Sequence, residues 1–158
     1  RGCAVVPGLA MMEPQLRSRR IRLQRSVPRY PIMVTCDRIR LEQVIINLLR
    51  NAIDATKAVK EPLIQISVSS GVHAYLSVRD NGPGVADMEK LFEPFFTTKA
   101  PGEGTGLGLA ISSGIVADFG GRLTAHNVDA SEGTGAVFEM ELPLRQSGNA
   151  TRKQEAAE

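Results

Sequence analysis

Gln43, Asn47, Asn51 and Asp54 recur at i, i+4, i+8 and i+11 along one segment of the chain. In a helix these four positions share one side. A solvated helix face normally mixes Glu with Lys, and Asn is a poor helix former. Two Asn on consecutive turns therefore call for a reason. Neutral oxygens aimed into a cleft can ligate Mg²⁺, a hard octahedral ion that keeps waters and phosphate oxygens as its other ligands. The plainer alternative is a polar face satisfied by neighbouring loops.

Three further segments carry chemistry. Asp80-Asn81-Gly82-Pro83-Gly84-Val85 places one carboxylate ahead of two glycines. Backbone and a single acceptor could there approach a flat ligand, and an Asp accepting from an exocyclic amine would select adenine over a keto base. The same residues also suit a turn without function. Gly102-Glu103-Gly104-Thr105-Gly106-Leu107-Gly108-Leu109 has glycine at every second position. It is not a Rossmann fingerprint, because Leu109 stands where a third glycine is needed, and no Gly-Lys-Ser/Thr makes it a Walker A loop. Glycine-rich N–H groups ahead of a helix still favour an anion, and alternating glycines are costly to order. Between the two lies Leu91-Phe92-Glu93-Pro94-Phe95-Phe96-Thr97-Thr98-Lys99. Its Phe residues are expected to anchor a loop on the core, and Lys99 could meet a terminal phosphate as a point charge. Glu132-Gly133-Thr134-Gly135 suits a tight turn with a hydroxyl facing a pocket.

The elements that must position these residues are legible from periodicity. Residues 38–59 read as a long helix capped by Asp37, with Leu41, Val44, Ile45, Leu48, Ala52 and Ala55 on its apolar face. Leu63–Ser69 and Ala74–Asp80 alternate and read as a hairpin about Gly71. Leu109–Asp118 reads as a helix stopped by Gly120-Gly121, and Arg122–Asn127 and Ala136–Leu142 as strands. Ahead of these, Met11–Arg19 reads as a short helix, with strands at Ile21–Ser26 and Ile32–Thr35. Residues 81–108 form a loop long enough to be functional or disordered. Three parts are expected: a connector over 1–12, one domain over 13–146, and a polar tail over 147–158.

Composition narrows the classes. The chain has 158 residues, 42% apolar and 23% charged, in the globular range. With 4% aromatic residues and no Trp, a base-stacking or sugar-lined groove is disfavoured. Residues 1–40 hold nine Arg against Glu13 and Asp37, a net +7, while the remainder carries −5. These Arg are not interleaved with aromatics, so nucleic acid is not the expected partner. No apolar run reaches the ~20 residues of a membrane span, and no clear signal peptide is present. Cys3 and Cys36 form no CxxC pair and read as free thiols in a reducing compartment.

In order, these segments resemble the ATP-binding catalytic domain of bacterial sensor histidine kinases, of the superfamily that includes gyrase- and MutL-type ATPases. Leu41–Ala55 is similar to the Asn box, Asp80–Val85 to the first glycine box, Leu91–Lys99 to the Phe box and Gly104–Leu109 to the second glycine box. The Phe-Thr-Thr-Lys and Asn-Ala-Ile-Asp-Ala segments resemble the nitrogen-regulatory and four-carbon-dicarboxylate sensor branch. The resemblance implies an α/β (α+β) two-layer sandwich: a mixed, mainly antiparallel sheet covered on one face by about three helices, with an ATP lid over 86–103. It implies ATP and Mg²⁺ as ligands. Asn51 matches the Mg²⁺ ligand, Asn47 lies by the phosphates, and Asp80 reads the adenine amine beside Gly82, Gly84 and Val85. Gly104, Thr105, Gly106, Leu107, Gly108 and Leu109 line the phosphates, with Thr134 near the adenine.

Two positions depart from the pattern. Asp54 stands where many histidine kinases carry Lys, which leaves Lys57 or Lys99 to meet the phosphates. Asn47 stands where gyrase-type ATPases carry the Glu that activates water, so hydrolysis is expected to be poor. The catalytic set implied is therefore Asn47, Asn51 and Lys99, with Asp54 at the nucleotide. Neither His73 nor His126 sits in an acceptor-like helix, so the acceptor His is expected on an upstream dimerisation domain. A response regulator is the implied downstream partner, the parent is expected in the bacterial inner membrane with this domain cytoplasmic, and the chain alone as a monomer or weak dimer. A superfamily ATPase and a non-catalytic nucleotide-sensing module are the alternative readings.

Overall fold

The computed structural model describes residues 2–5, 12–97, 99 and 106–146. The hairpin is the centre of the fold. Strands β4 (Leu63–Ser70) and β5 (His73–Asp80) pair antiparallel with Ile66 opposite Val78 and Val68 opposite Leu76. Strict alternation sends Ile64, Ile66, Val68, Ala74, Leu76 and Val78 to one face, where all are buried. On the opposite face stand Ser67 and Ser77, with their hydroxyls 3.1 Å apart, and Gln65, whose amide donates to Gln24 at 2.8 Å.

β5 also pairs antiparallel with β7 (Ala136–Pro143), which pairs in turn with β6 (Arg122–Asn127). On the far side, β2 (Arg22–Ser26) joins β4 in parallel. The order β2-β4-β5-β7-β6 is the mixed, mainly antiparallel sheet the resemblance implies.

The buried face is covered by α2 (Arg38–Ala55) and α3 (Gly108–Asp118). Asp37 caps α2, its carboxylate accepting from the N–H groups of Ile39 (2.9 Å) and Arg40 (3.3 Å). Leu41, Val44, Ile45, Leu48, Leu49, Ala52 and Ile53 bury its apolar stripe. Each large side chain so buried contributes on the order of 1.5–3 kcal/mol. The helix stops four residues short of the expected end. Thr56, itself buried, turns its hydroxyl back onto the carbonyls of Ala52 (3.1 Å) and Ile53 (3.0 Å), and the chain tightens to i→i−3 bonds at Lys57 and Val59. Arg40 and Asp118, 2.7 Å apart, tie the start of α2 to the end of α3.

Of the first twelve residues, 2–5 and 12 are described, and they take part in the fold. β1 (Gly2–Ala4) pairs antiparallel with β3 (Met33–Thr35), and Cys3, Val5 and Met12 join the core. The Cys3 thiol donates to the Cys36 carbonyl at 2.9 Å, and both cysteines are free and buried. A short helix α1 (Glu13–Ser18) follows, with Leu16 buried. The polar tail expected over 147–158 lies outside the described residues.

Candidate functional site

Alternation along β5 carries one consequence for chemistry. After Ala74, Leu76 and Val78, the next inward position is 80, so a carboxylate continues an apolar row. Asp80 is 3% exposed. It accepts from the N–H of Gly82 at 2.9 Å and, more distantly, from that of Ala136 at 3.4 Å. Burial pushes its pKa up from the ordinary 3.8, and those two hydrogen bonds pull the other way. Asn81 points away from this face. Its Oδ1 accepts from Leu63 N–H and its Nδ2 donates to the Glu61 carbonyl, each at 2.9 Å, so it braces the start of β4.

The glycines around Asp80 answer to backbone as well as to any ligand. A Cβ on Gly82 would lie 2.5 Å from the Ala55 carbonyl at the end of α2. Gly135, at φ +131, packs on the Asp80 carbonyl so closely that a Cβ would overlap it. Gly84, at φ +83, faces Asn127, whose amide clasps Val85 from both sides: Oδ1 accepts from its N–H and Nδ2 donates to its carbonyl, each at 2.8 Å. Thr134 sits on the exposed turn next to Gly135.

Along α2, the amide stripe separates into different roles. Asn47 Nδ2 donates to Ser112 Oγ of α3 at 3.1 Å, and a Cβ on Gly108 would lie 2.5 Å from Asn47 Oδ1. A glycine is therefore what lets α3 start against α2. Asn51, one turn on, has a buried Nδ2 with no protein partner. Orphaned buried amides are rare and cost roughly 1–3 kcal/mol. A half-turn about χ2 exchanges its nitrogen and oxygen, so the buried end can meet either a phosphate oxygen or a cation. Asp54, on the same side, accepts from Lys99 Nζ at 2.7 Å and lies 3.9 Å from Arg19. Gln43, the first of the stripe, is exposed.

Among its described residues, the loop between the glycine segments is held by its own backbone. It holds one turn of 3₁₀ helix, Met88–Lys90. Phe95 has φ +66, and its N–H donates to the Gly106 carbonyl at 2.9 Å. Gly106, at φ +71, abuts the Phe95 backbone with no room for a Cβ. The three Phe do not act alike. Phe92 packs against the core and Phe96 is half-buried, but Phe95 is 74% exposed, which corrects the expectation that all three anchor the loop. Leu107 precedes α3, and Leu109 packs against the core. Gly104 and Thr105 lie outside the described residues. The sequence reading missed Ser112, Asn127 and the steric role of Gly135. Nothing local marks the first two, and the Gly133-Thr134-Gly135 spacing was the one available signal for the third.

Against known proteins, residues 36–146 match the family described as histidine kinase-, DNA gyrase B-, and HSP90-like ATPase. The chain belongs to that family. The two-component sensor PprA of Pseudomonas aeruginosa is 41% identical over 144 residues, covering 86% of this chain and 15% of that protein. The C4-dicarboxylate transport sensor protein DctB of the same organism is 38% identical over 156 residues, covering 96% of this chain and 25% of that protein. The chain thus spans a quarter or less of the length of these two relatives. Among solved structures, the catalytic domain of histidine kinase ThkA superposes with TM-score 0.73 at 34% identity, over 85% of this chain and 88% of that one. Full-length ShkA in complex with AMPPNP superposes with TM-score 0.74 at 30% identity, over 92% of this chain and 32% of that one. The complex of ThkA with the response regulator protein TrrA superposes with TM-score 0.70 at 32% identity, over 85% and 37% of the two chains.

Proposed function

We propose that this chain is the ATP-binding catalytic domain of a two-component sensor histidine kinase. It would pass the γ-phosphate of ATP to a His on a dimerisation domain of the same protein, for relay to an Asp of a response regulator. The observation that carries the choice of kinase over ATPase is at position 47. An amide engaged with Ser112 stands there, so no carboxylate is available to deprotonate water.

Each residue then has a task. Asp80 accepts from the adenine amine, on the floor that Gly82, Gly135 and the Asn127–Val85 clasp hold open. Asn51 offers the buried amide end that the protein leaves unpaired. Among the described residues no three His, Cys, Asp or Glu gather as a metal site, so Mg²⁺ would rest on Asn51 and on phosphate oxygens. When bound, the ion would neutralise charge on the phosphates. Asn47 and the N–H groups opening α3 would orient the phosphate chain, and Lys99, paired with Asp54 on the same side of α2, is the cation we assign to its end. Catalysis would be mainly positioning and charge neutralisation. Thr134 would edge the adenine. Gly104 and Thr105 would complete the phosphate loop. Among the described residues no helix is long and apolar enough to cross a membrane. By its likeness to sensor kinases, we place this domain on the cytoplasmic side of an inner-membrane sensor.

Calorimetric titration with AMPPNP, with and without Mg²⁺ and against the GTP analogue, tests the pocket. Adenine-selective binding strengthened by Mg²⁺ is expected. Adding a separately prepared dimerisation domain with γ-labelled ATP tests the chemistry. Label on its His supports the kinase, rapid phosphate release without label supports an ATPase, and binding alone supports a nucleotide-sensing module. In Asn51→Ala, Mg²⁺-dependent transfer should fall far more than nucleotide binding.

A further inference from the structure

A cavity of about 550 Å³ opens where α1 and α2 both end. Its lining includes Ile21, Ile53, Val59 and Leu63 beside Thr56 and Asn81. Its rim carries Arg19, Arg20, Arg22, Lys57 and Lys60 against one acid, Glu61. Arg19 leans on Asp54 at 3.9 Å, but among the described residues Arg20, Arg22, Lys57 and Lys60 have no carboxylate partner. Surface cations on folded domains usually alternate with acids; four unpaired around one hollow leave a local positive field. Arg20 is also held at φ +54, in the left-handed region that L side chains rarely adopt.

We propose that this cavity docks an acidic polypeptide segment, with apolar side chains seated on the apolar lining residues and carboxylates met one by one at the rim. Charge complementarity, with apolar residues and unpaired cations in one lining, favours an amphipathic acidic chain over a small ion. α2 presents its C-terminal end here, and among the described residues no helix N-terminus lines it, so the cavity is not built as a helix-N-terminal phosphate site.

The test is fluorescence anisotropy of a short fluorescein-labelled peptide of alternating Glu and Leu, titrated with the chain at low and high salt. Saturable binding that weakens with salt is expected, with no binding of the matching Lys–Leu peptide. Lys57→Glu should weaken binding roughly tenfold or more. Arg20→Gly separates binding from structure: glycine suits that φ, so thermal stability should rise by about 2–4 °C while binding weakens several-fold. Binding that is absent, or equal for both peptides, or unchanged in Arg20→Gly and Lys57→Glu, overturns the proposal. Displacement of the peptide by tripolyphosphate at far lower concentration than by unlabelled peptide would reassign the cavity to a small polyanion and overturn it equally.

Discussion

Lys99 Nζ lies 2.7 Å from Asp54 Oδ2, so the cation at the end of the Phe segment is held by α2 one turn beyond Asn51. Sequence names Lys57 and Lys99 as the cations that could meet the phosphates and places Lys99 in the implied catalytic set. The structure puts Lys99 beside the amide stripe and Lys57 in the lining of the basic cavity.

Lys99 must leave Asp54 to meet a phosphate. Asp54→Ala removes the competing carboxylate and should tighten nucleotide binding, by no more than about 1 kcal/mol for so exposed a pair. Lys99→Ala should loosen it. Calorimetric titration of both variants checks this, and equal affinities in all three proteins would take Lys99 out of the site.

Asp80 should trade stability for binding. Its carboxyl pKa is raised by burial, so the folded state holds the proton more tightly than the unfolded state. Stability then falls as pH rises from the ordinary carboxylate range through the raised value, and the charged form is a cost at neutral pH. Asp80→Asn keeps an acceptor for Gly82 N–H and removes that cost. It should raise the melting temperature of the nucleotide-free chain at pH 7, with the gain shrinking on acidification. Nucleotide binding should weaken by about 1.5–3 kcal/mol. Thermal melts at several pH values, alongside AMPPNP titration, read both effects; a melting temperature lowered at pH 7 would contradict the burial account.

Two glycines of α3 make a matched pair. Gly108→Ala would drive a Cβ to within 2.5 Å of Asn47 Oδ1, disturbing its bond to Ser112. A stability loss of about 1–3 kcal/mol is expected, with nucleotide binding impaired. At Gly114 nothing lies within 4 Å of a Cβ. There Gly→Ala should stabilise by about 0.5–1 kcal/mol through helix propensity and leave binding unchanged. Denaturant midpoints rank the two.

Asn127→Ala removes both halves of the Val85 clasp. Each neutral hydrogen bond contributes about 0.5–1.5 kcal/mol, and the loss falls on the loop that frames Asp80. Faster amide exchange at Val85 and weaker AMPPNP binding are expected together. If exchange quickens while affinity holds, the loop does not shape the pocket.

The elements were legible because their signals are local. The 3.6-residue stripe of α2, its Asp37 cap and the alternation of β4 and β5 are written in neighbouring residues, and alternation alone sends Asp80 inward. Thr56 was the exception, since a hydroxyl that ends a helix is not marked by periodicity. β1 was hidden for another reason: the three residues Gly2–Ala4 are too few to show a period, and only pairing with β3 makes them a strand.

The site residues proper depended on distance along the chain. Asn47 meets Ser112 across 65 residues, Lys99 meets Asp54 across 45, and Val85 meets Asn127 across 42. The basic hollow likewise forms because parallel pairing of β2 with β4 brings Arg22 alongside Leu63. Local patterning names which face of an element is apolar, but it is the strand order and the seating of α3 on α2 that choose its partners. Those follow from the joint packing of the core, a property of the whole chain that no single segment carries.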